Sequence, residues 1–288
     1  MLKQLVHNYW RWLALGLVVA NIALGYQWLV SADPLFHIYF LNVGEGDAIL
    51  LRTPDQRFVL IDGGPTSRTV YLLDQVIPAW RRRLALIVLT HPHADHAAGL
   101  VEIAKRYPID EFLFNGSAYS TETYQALLSQ INLQHIPTNV VDPSDRYNFD
   151  GVSLAAIYPP GPASNVSDDP NTASIVLAVN YQGFSGWLMG DAGSEAEKQL
   201  IAEGKTRDID ILKVAHQGSQ TASSPEFLAS ARPEVAVVSV GKNNFGHPHQ
   251  IVLDRLQQSG AQVFRTDQDG MVEVVTDGQR YRVLTHAS

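Results

Sequence analysis

Residues 84–89 (LALIVL) form an unbroken apolar run, and the chain turns polar directly behind it with Thr90-His91-Pro92-His93-Ala94-Asp95-His96. Six apolar residues in succession leave neither face of a strand for water, so a strand built from them is covered on both sides. That requirement restricts the chain to a layered architecture. Helical patterns at 66–80, 97–106, 121–132, 194–203, 225–231 and 250–259 can supply the covering layers. Strand-like runs lie at 36–43, 48–52, 58–61, 152–157, 174–179, 186–189, 209–214 and 235–240, and the tail adds 262–265, 271–276 and 280–284. This alternation predicts an α/β fold with residues 33–288 as one domain.

The polar segment behind the apolar strand carries chemistry. The chain has no cysteine, which excludes disulfides, thiolate nucleophiles and sulfur-ligated metal centres. A metal must therefore be held by imidazole and carboxylate, which suits zinc, manganese or iron. In an extended segment residues two apart point the same way, so His91 and His93 can share one ion. Asp95 and His96 follow as the chain turns into the next helix and can face a second. Asp191, at the end of the 186–189 strand, can bridge two ions, although alone it reads as a helix cap. His216, behind the 209–214 strand, completes a coordination count that neither segment reaches by itself.

The start of the chain is of another kind. Residues 13–30 (LALGLVVANIALGYQWLV) contain no charge, with Lys3 and Arg11 before them and Trp10, Trp12, Tyr26 and Trp28 flanking the two ends. Such a helix is apolar on every face, and a bilayer core takes roughly 20 apolar residues to span. The run exceeds the ~7–15 residues of a signal-peptide core. Residues 1–32 are thus expected to be a transmembrane signal-anchor, and a signal peptide cleaved near Val30-Ser31-Ala32 is the other reading. Basic residues in front place the start in the cytoplasm and residues 33–288 outside. The formal net charge is −8, and removing Lys3 and Arg11 leaves 19 basic residues against 29 acidic ones. A chain this acidic meets a polyanion only at a local site.

The run H-x-H-x-D-H, the pair Gly190-Asp191 and the later His216 resemble the metallo-β-lactamase superfamily. The resemblance implies a four-layer αββα sandwich with a two-metal site along one edge of its two sheets. Four segments narrow it: Asn42-Val43-Gly44-Glu45-Gly46-Asp47-Ala48, Asn171-Thr172-Ala173-Ser174, residues 212–219 (LKVAHQGS) and Asn244-Phe245-Gly246-His247-Pro248. They are similar to the extracytoplasmic hydrolase domain of ComEC-type competence proteins. The likeness covers residues 36–285 and leaves out the multi-span channel of those proteins, so it does not imply DNA transport. Two departures stand out. The wider superfamily carries a further metal-binding histidine before the bridging aspartate, whereas residues 97–190 contain only His135, expected in a short strand after a helix. The ComEC-type branch has two adjacent histidines where this chain has His216-Gln217.

By that resemblance two divalent ions, zinc or manganese, are expected. His91 and His93 hold the first, Asp95, His96 and His216 the second, and Asp191 both. Asn171 and Ser174 take the place of the missing histidine as weak metal or substrate contacts. Asp62 either orients a ligand from behind or is a plain turn residue. Asp95 and His247 are the catalytic candidates, His247 as a phosphate contact or proton donor unless it merely faces solvent. Ser219, with Thr221, Ser223 and Ser224, offers hydroxyls to phosphate oxygens. Arg81-Arg82-Arg83, the single basic run, either attracts a polyanion or ends a solvated helix. His7, His37, His249 and His286 have no assigned role. Two ions serve a phosphodiester best, because its displacement develops charge on both the entering and leaving oxygens. The expected activity is metal-dependent hydrolysis of nucleic acid, single-stranded DNA favoured, outside the cytoplasmic membrane. Hydrolysis of small esters, lactones or lactams is a second reading, and a degenerate DNA-binding envelope protein a third.

Overall fold

The computed structural model describes residues 2–30, 33–161 and 169–287, with side chains of the first stretch described over 9–25. The chain divides into two units, Met1–Pro34 and Leu35–Ser288. In the first, Leu2–Val30 is one helix, α1. Trp10, Trp12, Leu17, Ile22 and Leu24 are exposed on it, and Asn21 Nδ2 donates to the Leu17 carbonyl at 2.8 Å. Among the described residues no helix is long and apolar enough to cross a membrane. The helix is there, but the spanning role expected of it is not supported. Ser31 and Ala32 of the expected cleavage segment lie outside the described residues.

The second unit opens with antiparallel strands β1 (Phe36–Phe40), β2 (Ile49–Arg52) and β3 (Phe58–Ile61). Helix α2 (Arg68–Val76) leads to β4 (Leu86–Leu89), α3 (Ala94–Arg106), β5 (Phe112–Phe114), α4 (Glu122–Leu133) and β6 (Thr138–Val140). A second sheet begins with β7 (Arg146–Phe149), β8 (Val152–Tyr158), β9 (Val176–Tyr181) and β10 (Phe184–Leu188). Helix α5 (Ser194–Ala202), β11 (Ile211–Lys213), α6 (Pro225–Ala231), β12 (Val235–Val238), α7 (Gln250–Gln258) and β13 (Gln262–Arg265) follow in turn. The short α8 (Thr266–Asp269) returns the chain to the first sheet, which β14 (Met271–Thr276) and β15 (Tyr281–His286) complete. The strand orders are β15-β14-β1-β2-β3-β4-β5-β6 and β13-β12-β11-β10-β9-β8-β7.

Alternation along each strand sorts side chains into layers. Leu86 and Val88 of β4 enter the core between the sheets, whereas Ile87 and Leu89 pack with Leu73, Leu100 and Leu127 of α2, α3 and α4. Leu188 and Ile211 enter the same central core from the second sheet. Trp187 and Leu212 face outwards onto Leu200, Phe227 and Val252 of α5, α6 and α7. Helices thus cover the outer faces of two packed sheets, the layer order that the resemblance implies. Each fully buried Leu, Ile or Val contributes ~1.5–3 kcal/mol. His135 departs from expectation: it is an exposed residue in the left-handed turn after α4, with φ 53°, three residues before β6 begins.

Candidate metal centre

Parallel pairing of β3 with β4, and of β10 with β11, brings the carboxyl ends of four strands to one side. Asp62 directly follows β3, His91 lies two residues past β4, Asp191 three past β10 and His216 three past β11. Sites in such sheets form where strand ends converge. Pro92 holds the chain extended between His91 and His93. His93 then occupies the N-cap of α3 at φ −65° and ψ 150°, so Asp95 and His96 sit in the first helical turn. A carboxylate there also favours the positive end of the helix dipole.

The side chains converge. His91 Nε2 lies 3.1 Å from His93 Nδ1 and 3.8 Å from Asp191 Oδ2. His96 Nε2 lies 3.3 Å from Asp191 Oδ1 and 3.4 Å from Asp95 Oδ2, and His216 Nε2 is 3.6 Å from Asp191 Oδ2. Asp191 is therefore the common neighbour of His91, His96 and His216, buried with Oδ1 towards His96 and Oδ2 towards His91 and His216. The His216-Gln217 pair is presented by two successive left-handed residues, both at φ 48°. Such backbone costs of order 1–3 kcal/mol per residue and persists only where its surroundings impose it. Gln217 Nε2 donates to Asp191 Oδ1 at 3.1 Å, a contact sequence reasoning did not assign.

Behind the ligand set lies a hydrogen-bond network. Asp62 accepts from Thr90 N at 2.8 Å, from Thr90 Oγ1 at 2.7 Å and from His96 Nδ1 at 2.8 Å. A carboxylate only accepts, so His96 Nδ1 carries a proton, and its Nε2 is the atom that faces Asp95 and Asp191. Ser174 Oγ accepts from Asp191 N at 3.0 Å and lies 3.5 Å from His91 Nδ1; it holds ligands in place from a fully buried position. Gly190, at φ 51°, admits this approach, because a Cβ there would stand 2.4 Å from Ser174 Oγ. Gly46 does the same for the loop before β2: a Cβ would meet the Asp95 carbonyl at 2.1 Å.

Two buried triads have donor atoms within 4.8 Å of one another: His91, His96 and Asp191, and Asp47, Asp62 and His96. In the second, Asp47 is already paired with the buried Lys213 ammonium, and Asp62 with His96 and Thr90, so its oxygens face donors. The first has carboxylate oxygens and imidazole nitrogens directed at a common space. Burial disfavours charge on His96, yet Asp191, Asp62 and Asp95 outweigh it and hold its pKa well above the ordinary histidine value. Burial and the adjacent His96 push His91 well below it. Burial also opposes ionisation of Asp191, but His96, His91 and His216 keep its pKa well down. Asp47 is raised to about 6 by burial, against the pull of Lys213.

These residues fit divalent cations. Four carboxylates, Asp47, Asp62, Asp95 and Asp191, stand 2.8–3.9 Å from the ring nitrogens of the buried His96, and Asp47 also pairs with the buried Lys213 ammonium. Two acceptor oxygens, Asp47 Oδ1 and Asn171 Oδ1, are buried without a hydrogen-bond partner among the described residues. Only nitrogen and oxygen donors are present, as zinc or manganese sites without thiolate require.

A cavity of about 510 Å³ opens over the centre, lined among others by His93, Asp95, Asn171, Asp191, His216 and His247. His247 Nδ1 is 3.1 Å from Glu45 Oε1, and the other Glu45 oxygen accepts from Gly241 N at 3.1 Å. The His247 ring is 5.4 Å from His216 and 5.6 Å from the largely exposed Phe245, with which it stacks. Ser219 is not among the lining residues; its amide donates to the His216 carbonyl at 2.7 Å and its hydroxyl meets Thr221. The amides of Ser223 and Ser224 donate to Glu197. The helix-cap reading of Asp191 does not hold, since Gly193 caps α5. Glu45, Asp47, Lys213, Gln217 and Phe245 lie in segments that carry the resemblance but were given no role from sequence. Only Lys213, a charge inside an apolar strand, carried a general signal of its own.

A family profile described as the Metallo-beta-lactamase superfamily matches residues 41–242. ComE operon protein 3 of Bacillus subtilis is 28% identical over 253 residues, covering 81% of this chain and 32% of that protein. Competence protein ComA of Neisseria gonorrhoeae is 28% identical over 236 residues, covering 81% and 31%. The chain spans about a third of the length of these curated relatives. The fold is similar to that of YhfI, a metallo-beta-lactamase fold protein from Bacillus subtilis, with a TM-score of 0.57, 12% identity and coverage of 84% of this chain and 100% of that one.

Proposed function

The chain belongs to the metallo-beta-lactamase superfamily, and from that premise we propose that it is a metal-dependent phosphodiesterase that cleaves nucleic acid, single-stranded DNA above all. The observation that carries this reading is the cavity wall. Beside the ligand set stand a histidine held by a carboxylate and an exposed aromatic ring, His247 on Glu45 and Phe245 next to it. A nucleotide unit needs a proton for its leaving oxygen and a flat apolar surface for its base. The similarity to competence proteins supports the same substrate class.

In this reading His91 and His93 hold one ion, Asp95, His96 and His216 the other, and Asp191 serves both. Bound zinc or manganese supplies charge that polarises a phosphoryl oxygen and makes water acidic enough to attack at neutral pH. Asp62 fixes the tautomer of His96, and Ser174 sets Asp191 and His91 from behind. Asn171 reaches the cavity and can contact substrate or ion. Glu45 accepts a hydrogen bond from His247 Nδ1, which orients the opposite edge of the ring for a phosphate or leaving oxygen. Phe245 offers its face to a base. The proposed place of action, outside the cytoplasmic membrane, rests on the composition of residues 13–30 and on the resemblance of the motifs to an extracytoplasmic hydrolase domain. A reporter fused behind Ser288 tests it by being active only when exported.

The deciding assay incubates the purified chain with single-stranded DNA and Mn²⁺ or Zn²⁺ while metal content is measured. Cleavage that disappears in Asp191→Ala is expected. Bound metal without cleavage overturns the proposal. Hydrolysis of chromogenic esters or lactams in that case favours the second reading.

A further inference from the structure

The opposite end of the same strands holds a second concave surface. Arg57 precedes β3 and Arg83 precedes β4, whereas Asp62 and His91 follow those strands. At ~3.3 Å per residue this end lies roughly 17 Å from the metal ligands. Its cavity, about 610 Å³, is lined by Arg57, Phe58, Trp80, Arg81, Arg83 and Pro108 among others. It gathers the only basic run of an acidic chain beside an exposed indole, Trp80, at 63% exposure. Three of the arginines are paired: Arg57 with Asp55 at 2.8 Å, Arg82 with Asp74 at 2.9 Å, and Arg83 with Asp110. These pairs are solvent-exposed and worth little, so they yield readily to a better acceptor. Arg81 differs from them. Its Nη1 is buried with no hydrogen-bond partner among the described residues, and an unsatisfied donor is costly until an acceptor reaches it.

We propose that this cavity is a second nucleotide-binding site, with a phosphate on the Arg81 guanidinium and a base stacked on Trp80. Guanidinium forks suit phosphate oxygens, an indole face accepts any base, and the exposed Pro108 adds an apolar wall. The ligand is either a free nucleotide or one residue of a single strand whose neighbouring stretch reaches the other end of the domain. The site needs no metal, so it goes beyond the proposed chemistry and can be tested apart from it.

The test uses the full chain in EDTA, where no cleavage interferes, with fluorescein-labelled (dT)12 followed by anisotropy and with dTMP as competitor. Trp80→Ala and Arg81→Ala are each expected to weaken binding about tenfold, Trp80→Phe to retain most of it, and Arg81→Ala to flatten the salt dependence by roughly one phosphate contact. A 5-iodouracil-substituted strand is expected to crosslink to the peptide containing Trp80, and the double variant His91→Ala/Asp191→Ala to keep the crosslink. Displacement of (dT)12 by dTMP identifies a free-nucleotide site, and no displacement by dTMP with the Trp80 crosslink retained identifies a strand site. Binding changed less than twofold in both Trp80→Ala and Arg81→Ala overturns the proposal. So does loss through Arg81→Ala alone, which marks plain anion attraction, or a crosslink confined to the metal centre. Absence of cleavage by metal-loaded wild type leaves each of these readouts intact.

Discussion

Asp62→Asn is the sharpest probe of how the centre is held. Asp62 adopts φ 58°, a region asparagine tolerates as well as aspartate, so the substitution leaves the backbone unstrained. It changes the hydrogen bonding instead. One amide oxygen can still accept from Thr90, but the NH₂ group now faces His96 Nδ1 and Thr90 Oγ1, where both contacts were donors to the carboxylate. His96 escapes the clash by moving its proton to Nε2, the atom 3.3 Å from Asp191 and 3.4 Å from Asp95. A protonated Nε2 cannot ligate an ion. Removing an orienting partner of this kind costs about 10- to 100-fold in metal affinity. At a metal concentration ~100 times the wild-type Kd, binding stabilises the fold by about 2.7 kcal/mol; in the variant this falls to about 0.4–1.4 kcal/mol. With ~2–4 °C per kcal/mol for a domain of this size, the metal-induced rise in Tm shrinks by roughly 3–9 °C. Thermal scans of both proteins, with EDTA and with Zn²⁺ or Mn²⁺, measure it directly. An undiminished rise in Asp62→Asn, at equal metal content, refutes the reasoning.

Three further outcomes are expected. Gly190→Ala places a methyl group 2.4 Å from Ser174 Oγ at a left-handed backbone position, so it should displace Asp191, lower metal content and cost ~1–3 kcal/mol in urea denaturation. Glu273 is opposed by burial but receives His37 at 2.6 Å and His286 at 2.7 Å, which brings its pKa to about 2. A lowered carboxyl pKa stabilises the fold above the unfolded value and is lost as pH falls through the folded one. Urea midpoints of wild type and Glu273→Gln should therefore differ at pH 6 and converge between pH 4.5 and about 2; a constant gap counts against it. Phe245→Ala should raise KM for an oligonucleotide roughly 5- to 100-fold while leaving a small phosphodiester unaffected. Equal effects on the two substrates would assign Phe245 a merely structural part.

The reach of sequence reasoning followed the density of its signals. His91, His93, Asp95 and His96 were legible because four donors crowd six residues behind a strand that has to be buried. Asp191 and His216 were legible only as strand-end residues completing that set, and both line the resulting cavity. Asp47 and Glu45 sit in a glycine-rich turn where an acid looks like ordinary loop composition. Their partners, Lys213 and His247, lie 166 and 202 residues away in sequence, and no local pattern announces such pairings. Strands β5 and β6 escaped notice because three residues are too few for a period, and all of β6 is exposed. The turn at His135 escaped for another reason: its left-handed backbone is occupied by a residue that does not advertise it.

Asp47, Asp62, His91 and His96 belong to the sheet built first, and Asp191, His216 and Gln217 to the sheet built second. The first half lacks Asp191 and His216, and the second lacks His91, His93, Asp95 and His96, so neither holds the full ligand set by itself. An ion held by all of these residues would require the two halves closed on each other in register. A tightly held ion then acts as a rivet across the seam, and prying the halves apart means first surrendering the cargo.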